Sequence, residues 1–157
     1  MVTGTRAGAR HGDGRELDFP PIFSCHPACV PLHFAGMSLP ANLVTIHPYF
    51  KVHASTSWDQ VEDVLREFVA TTKSEKDCLF YEFSVNGDEV FCREGYVGAE
   101  GVLKHLENVG PVIAKMLTVS EMTRLEFHGP AEEIDKLRQP LAHLKPAWFV
   151  LHSGIER

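Results

Sequence analysis

Hydrophobic and polar positions first settle into a regular pattern near residue 42, and the pattern then changes period several times. Over 43–53 it alternates, with Val44, Ile46, Phe50 and Val52 on one side and Thr45, His47, Tyr49, Lys51 and His53 on the other, which predicts a strand with one apolar face. Ser57-Trp58-Asp59-Gln60 has the form of a capping box. Trp58, Val61, Val64, Leu65, Phe68 and Val69 then recur at helical spacing, so an amphipathic helix is expected up to about Lys73. Two β-rich runs, 78–85 and 89–97, flank Asn86-Gly87, a strong short hairpin signal, and should pair antiparallel.

A second helix is expected from about Ala99 to Asn108, with Gly110-Pro111 breaking it before another turn or two through Leu117. A fourth strand over 122–128 completes the order β-α-β-β-α-β, the split βαβ of ferredoxin-like α+β domains. Pro130, Glu132 and Glu133 then open an appended third helix carrying Ile134, Leu137 and Leu141, which Pro140 ends or kinks. A last apolar strand over 147–152 closes a sheet edge or pairs with another subunit. Residues 1–41 are rich in Gly, Pro and Arg without either period and read as a disordered or loosely attached extension, leaving 42–157 as one folded domain. Met37 is a natural alternative start; an over-extended start codon is the preferred explanation of the extension, with an atypical organelle peptide second. Residues 1–36 are therefore expected to contribute little to the fold.

A sheet with helices on one side leaves its other face to be covered. The expected register puts Leu79, Tyr81, Phe83, Val90 and Cys92 against the helices. Phe80, Glu82, Phe91 and Arg93 then join His47, Tyr49, Lys51 and His53 on the open face. That mixture is too aromatic for a wet surface and too polar for a dry core. Two such sheets facing each other, in a homodimeric α/β barrel enclosing a semi-polar cavity, satisfy both properties.

Composition narrows the function classes. A net charge of −6 with acids and bases interspersed excludes a basic nucleic-acid surface, and no apolar run is long enough for a membrane helix, so a soluble cytoplasmic protein is expected. Four cysteines make too sparse a framework for a disulfide scaffold, and by the same register Cys78 and Cys92 point to opposite faces. Cys25-His26-Pro27-Ala28-Cys29 with His33 offers soft ligands, yet the spacing matches no standard zinc motif, so zinc is not the expected reading. His47 and His53 lie about 20 Å apart along an extended strand, too far to share an ion. No phosphate loop, nucleophile triad or dinucleotide fingerprint is present.

Glu94-Gly95-Tyr96, then Ala99-Glu100, then His105, preceded by Asp77-Cys78-Leu79-Phe80-Tyr81, resembles the antibiotic biosynthesis monooxygenase superfamily over roughly residues 42–128. The resemblance implies a dimeric α/β barrel. It fixes no reaction, because the superfamily mixes cofactor-free quinol oxygenases, haem degraders, isomerases and members of unassigned activity. Haem degraders carry Trp where this chain has His105 and a His ligand where it has Lys115, so haem degradation ranks low.

The reading that follows is a cofactor-independent monooxygenase acting with O2 on a small aromatic or quinol-like substrate, with no cofactor and no metal. A neutral imidazole serves as base, with His47, His53 and His105 as candidates. Tyr49 hydrogen-bonds a substrate oxygen, Arg93 and Lys51 stabilise developing negative charge, and Phe80 and Phe91 pack against the ring. A bland role stands beside each of these: His105 as a satisfied core histidine, Lys51 and Glu82 as a cross-strand ion pair, Glu94 as an acceptor for backbone or hydroxyl groups. The alternatives are a non-catalytic dimeric barrel binding a small hydrophobic metabolite, or an isomerase or lyase on the same scaffold.

Overall fold

The computed structural model describes residues 39–154. The expected extension, the Cys25–Cys29 segment and His33 lie outside the described residues, apart from the last few positions before β1. Nine elements follow in order: β1 (Leu43–Val52), α1 (Trp58–Thr72), β2 (Cys78–Asn86), β3 (Glu89–Val97), α2 (Gly98–Val119), β4 (Ser120–Gly129), α3 (Ala131–Arg138), a 3-10 turn (Ala142–Leu144) and β5 (Ala147–Val150). The sheet order is β2-β3-β1-β4-β5, antiparallel throughout except that β5 runs parallel to β4. This is the ferredoxin-like α+β architecture with the expected C-terminal helix and strand, and β5 closes the edge of its own sheet.

Side-chain period decides which face the helices cover. Val44, Ile46 and Phe50 of β1, Val90 and Cys92 of β3 and Phe127 of β4 are buried against Val61 and Phe68 of α1, Val102, Val109 and Met116 of α2, and Ile134 and Leu137 of α3. Each such side chain, fully removed from water, stabilises the fold by about 1.5–3 kcal/mol. At the start of α1 the capping box forms as expected, the Gln60 N–H donating to Ser57 Oγ and the Ser57 N–H donating to Gln60 Oε1.

Three local expectations are corrected. α2 does not break at Gly110-Pro111 but continues to Val119. Pro111 and Glu107, whose carbonyl loses its donor, both sit on the exposed side, while Val109, Val112 and Met116 keep the opposite face packed. Next, a bulge in β2 between Cys78 and Phe80 turns Leu79 outward and Cys78 inward, so Cys78 and Cys92 both lie on the helix side, as free thiols. Finally, β1 ends at Val52 and leaves His53 exposed in the following loop, away from the strand face on which it was expected. The register of β1 against β3 is the same on either side of Pro48, Ile46 facing Glu94 and Tyr49 facing Phe91, while the register against β4 shifts between Tyr49 and Phe50.

Two glycines carry backbone requirements. Gly98, at φ +68, begins α2 where a Cβ would stand 3.0 Å from Asn42 and 3.2 Å from the Glu133 carboxylate. That carboxylate accepts the Ala99 N–H at 2.7 Å, so α3 caps the N-terminus of α2. Gly95, opposite Phe80 in the ladder, lets the Phe80 ring lie across it; a Cβ there would stand 2.5 Å from the ring.

Candidate active site

The helix-covered side of the sheet encloses a cavity of about 70 Å3 whose walls include Ile46, Phe50, Phe68, Phe83, Met122 and Leu125. Into this apolar space face Glu94 and His105. Glu94 occupies the inward register of β3, between Cys92 and Tyr96, and His105 belongs to the buried stripe of α2 made by Val102, Val109, Val112 and Met116. The two elements are consecutive in the chain and packed face to face, so strand period and helix period bring the acid and the imidazole together.

His105 is 2% exposed, and both of its ring nitrogens meet carboxylates: Nε2 lies 3.0 Å from Glu94 Oε2 and Nδ1 lies 3.0 Å from Glu75 Oε2. The Tyr96 hydroxyl donates to Glu94 Oε2 at 2.5 Å, and Asn108 Nδ2 donates to Glu75 Oε1 at 2.6 Å. The ring lies between the phenol rings of Tyr81 and Tyr96, with centroids 5.5 and 4.7 Å away. Burial by itself would lower the His105 pKa. Glu94 and Glu75 together outweigh it and hold the value above that of an ordinary histidine. With an acceptor at each nitrogen, the imidazolium form donates two charge-assisted hydrogen bonds.

The neighbouring acids are held in their protonated forms. Burial and then Glu94 push the Tyr81 and Tyr96 phenols far up, and the same pair of causes raises the Cys92 thiol. Burial, with Glu75 and Glu94, pushes the Cys78 thiol up to about 11. The cavity therefore presents one glutamate side chain and one imidazole, in contact with each other, as its proton-transfer equipment. Among the described residues no group of three or more His, Cys, Asp or Glu side chains is placed to hold a metal ion. Glu75 and Glu94 stand on opposite sides of one ring and do not converge.

The other expected site residues occupy different places. His47, Tyr49, Phe80, Phe91 and Arg93 share the open face, joined there by Arg124, Glu126, His128 and Phe149. His47 accepts or donates a 2.9 Å hydrogen bond with Thr45 Oγ1, stacks on Phe91 and meets the edge of His128 at 4.8 Å. Its pKa is lowered by burial and by His128, with Arg93 adding to the effect against Glu126. Arg93 pairs with Glu82 at 2.5 Å and lies over Phe80, and Arg124 pairs with Glu126 and lies over Tyr49. Lys51 bonds Asp88 at 2.9 Å instead of Glu82, because Arg93 stands directly across from Glu82. His53 lines a shallow groove beside Lys51 and Asp88 at the far end of β1. The three candidate histidines are thus in three separate places. Lys115 is exposed and bonded to Glu67 of α1 at 2.6 Å.

The ferredoxin-like sheet thus carries an appended helix and edge strand, with an acid-bearing apolar cavity under its helices. SnoaB, a cofactor-independent oxygenase from Streptomyces nogalater, shares the fold at a TM-score of 0.50 and 14% identity, over 55% of this chain and 91% of that one. MupZ from Pseudomonas fluorescens is much more similar, with 36% identity and a TM-score of 0.70 over 74% of this chain and 95% of that one. The chain belongs to the same family as MupZ. No family model matches the sequence, and a search of curated proteins finds no match. No helix among the described residues is long and apolar enough to cross a membrane.

Proposed function

We propose that the chain is an acid–base enzyme for a small, largely apolar substrate bound between the sheet and the helices, with Glu94 as the proton acceptor. The observation that carries this reading is the Glu75–His105–Glu94 chain ending on an otherwise apolar cavity. A carboxylate in such a place is costly to bury unless it is paired, and here the pairing leaves it directed at the cavity. The trio carries two carboxylates against one imidazolium, so its net negative charge favours a neutral proton donor over an anionic substrate.

The first reaction to test is cofactor-independent oxygenation, the activity named for SnoaB, with which the chain shares its fold over 55% of its length. Proton abstraction from an electron-rich phenol or quinol gives an anion that itself supplies the electrons to O2. One oxygen atom enters the product and the other leaves as water. A second reading, an isomerase or lyase, draws on the same proton transfer without oxygen. It is favoured by the fact that the groups facing the cavity are suited to moving protons.

The test is to purify the full chain and follow O2 uptake with a panel of small hydroquinones, with parallel anaerobic assays for proton exchange at activated C–H positions. Oxygen-coupled turnover supports the first reaction, and anaerobic exchange or isomerisation the second. Tight binding with no turnover in either arm makes the chain a binding protein and ends the acid–base reading.

We also propose that the open sheet face meets a second copy of this chain. Its stacked His47, Phe91, His128 and Phe149 and its two aromatic-bound arginines make a surface of the kind that protein interfaces bury. Light scattering should give about twice the 17.5 kDa chain mass. A monomer at micromolar concentration would remove the barrel and leave the helix-side cavity as a site complete in one chain.

A further inference from the structure

We propose that Glu75, in the turn between α1 and β2, is the positioning residue of this pocket: by accepting the Nδ1 proton of His105 it keeps the ring doubly protonated and leaves Glu94 to take the substrate proton. This rests on the acid–base reading above and adds to it a residue outside the cavity. Glu75 does not touch the cavity. It lines a separate outer groove with Thr72, Lys73 and Cys78, and its side chain is 14% exposed.

The geometry supports a clamp. Glu75 presents both carboxylate oxygens to His105 Nδ1, at 3.0 and 3.2 Å, while Asn108, one turn further along α2, fixes Oε1 and also reaches the Thr71 carbonyl. The Glu75 N–H closes onto the Thr72 carbonyl at 2.9 Å, so the turn that carries the carboxylate is tied to the end of α1. His105 can neither rotate nor shed its Nδ1 proton without breaking this set. A ring protonated at both nitrogens has no lone pair to offer, which removes it as a base and assigns that role to the carboxylate.

The groups facing the ring from each packed element are few. From β3 come Glu94 and Tyr96, from β2 Tyr81, from the α1–β2 turn Glu75, and from α2 itself Asn108; the thiols of Cys78 and Cys92 lie near Glu94. The phenols and thiols are held neutral, so among the described residues the two glutamates are the acidic partners in contact with the ring. Removing one of them should therefore be read directly in the titration of the ring.

The experiment is 15N and 1H NMR of the His105 ring in the full chain, free of any substrate, across pH, for the unmodified protein, Glu75→Gln, Glu75→Asp and Asn108→Ala. The unmodified ring should carry protons on both nitrogens well above the usual histidine range. Glu75→Gln should lower its titration midpoint by about one pH unit or more, the size expected when an adjacent opposite charge is lost. Glu75→Asp should recover part of that shift, and Asn108→Ala should give a smaller shift in the same direction. An unchanged midpoint in Glu75→Gln overturns the proposal, as does a fall in melting temperature without a change in titration. Should Glu75→Gln fail to fold, Asn108→Ala decides the matter by the same criterion. The measurement needs no turnover, so a protein inactive on every substrate tested would sink the enzyme reading while the titration still decides the role of Glu75.

Discussion

Replacing Glu94 by Gln should lower turnover by about 10²- to 10⁴-fold, the usual contribution of a general base, while leaving the fold in place. Gln keeps the shape of the side chain, and its amide oxygen can still accept from Tyr96 and from His105 Nε2, so the hydrogen-bonded layer under the cavity persists. What it loses is the capacity to take a proton. The assay is the turnover found with the unmodified protein, by oxygen uptake or anaerobic exchange, with far- and near-UV circular dichroism to show an intact fold. The same assay on His47→Ala separates the two faces of the sheet. Loss that follows His47 and spares Glu94 would place the chemistry on the open face and end the helix-side reading.

The second large effect is on stability. His105→Ala leaves the Glu94 and Glu75 carboxylates facing each other across a cavity with no counter-charge, and removing one member of a buried ion pair costs about 3–5 kcal/mol. Urea unfolding should show this as a lower midpoint with a similar slope. The effect depends on pH in a definite direction. Because the folded protein holds the His105 pKa above its ordinary value, the stabilisation from charging the ring is complete below about pH 6.5, the unfolded value, and is lost as pH rises through the folded one. The gap between the unmodified protein and His105→Ala should therefore narrow on the alkaline side. A gap that is constant, or that widens with rising pH, would mean that the ring is buried neutral and that Glu94 is not paired with a cation.

The signal that points to this site was present in the pattern of the chain. Glu94 stands at a position where the two-residue period of β3 requires an inward side chain, and His105 at a position where the helical stripe of α2 requires an apolar one. Each taken singly has a bland explanation, and although both belong to the motif that carries the family resemblance, only His105 stands out from it as a candidate base. Read together, two polar residues breaking two buried stripes on consecutive, packed elements mark a pair that satisfies itself in the core. Glu75 left no such mark, because it lies in a turn where no period applies and its contact with His105 spans 30 residues.

Sequence alone determined the order of the elements, the hairpin at Asn86-Gly87, the capping box at Ser57 and the placing of His47, Tyr49, Phe80, Phe91 and Arg93 on the open face, because each depends on neighbours a few positions apart or on strict alternation along a strand. Tertiary structure decided what local rules leave free. Whether Pro111 breaks α2 depended on which side of the helix faced solvent, and where Cys78 points depended on a bulge set by pairing across two strands. The protonation of His105 depended on carboxylates delivered by a turn and by a strand. A pattern along the chain shows that a histidine is buried; only the packed molecule shows what stands against each of its two nitrogens, and that contact decides whether the ring is a base or a cation.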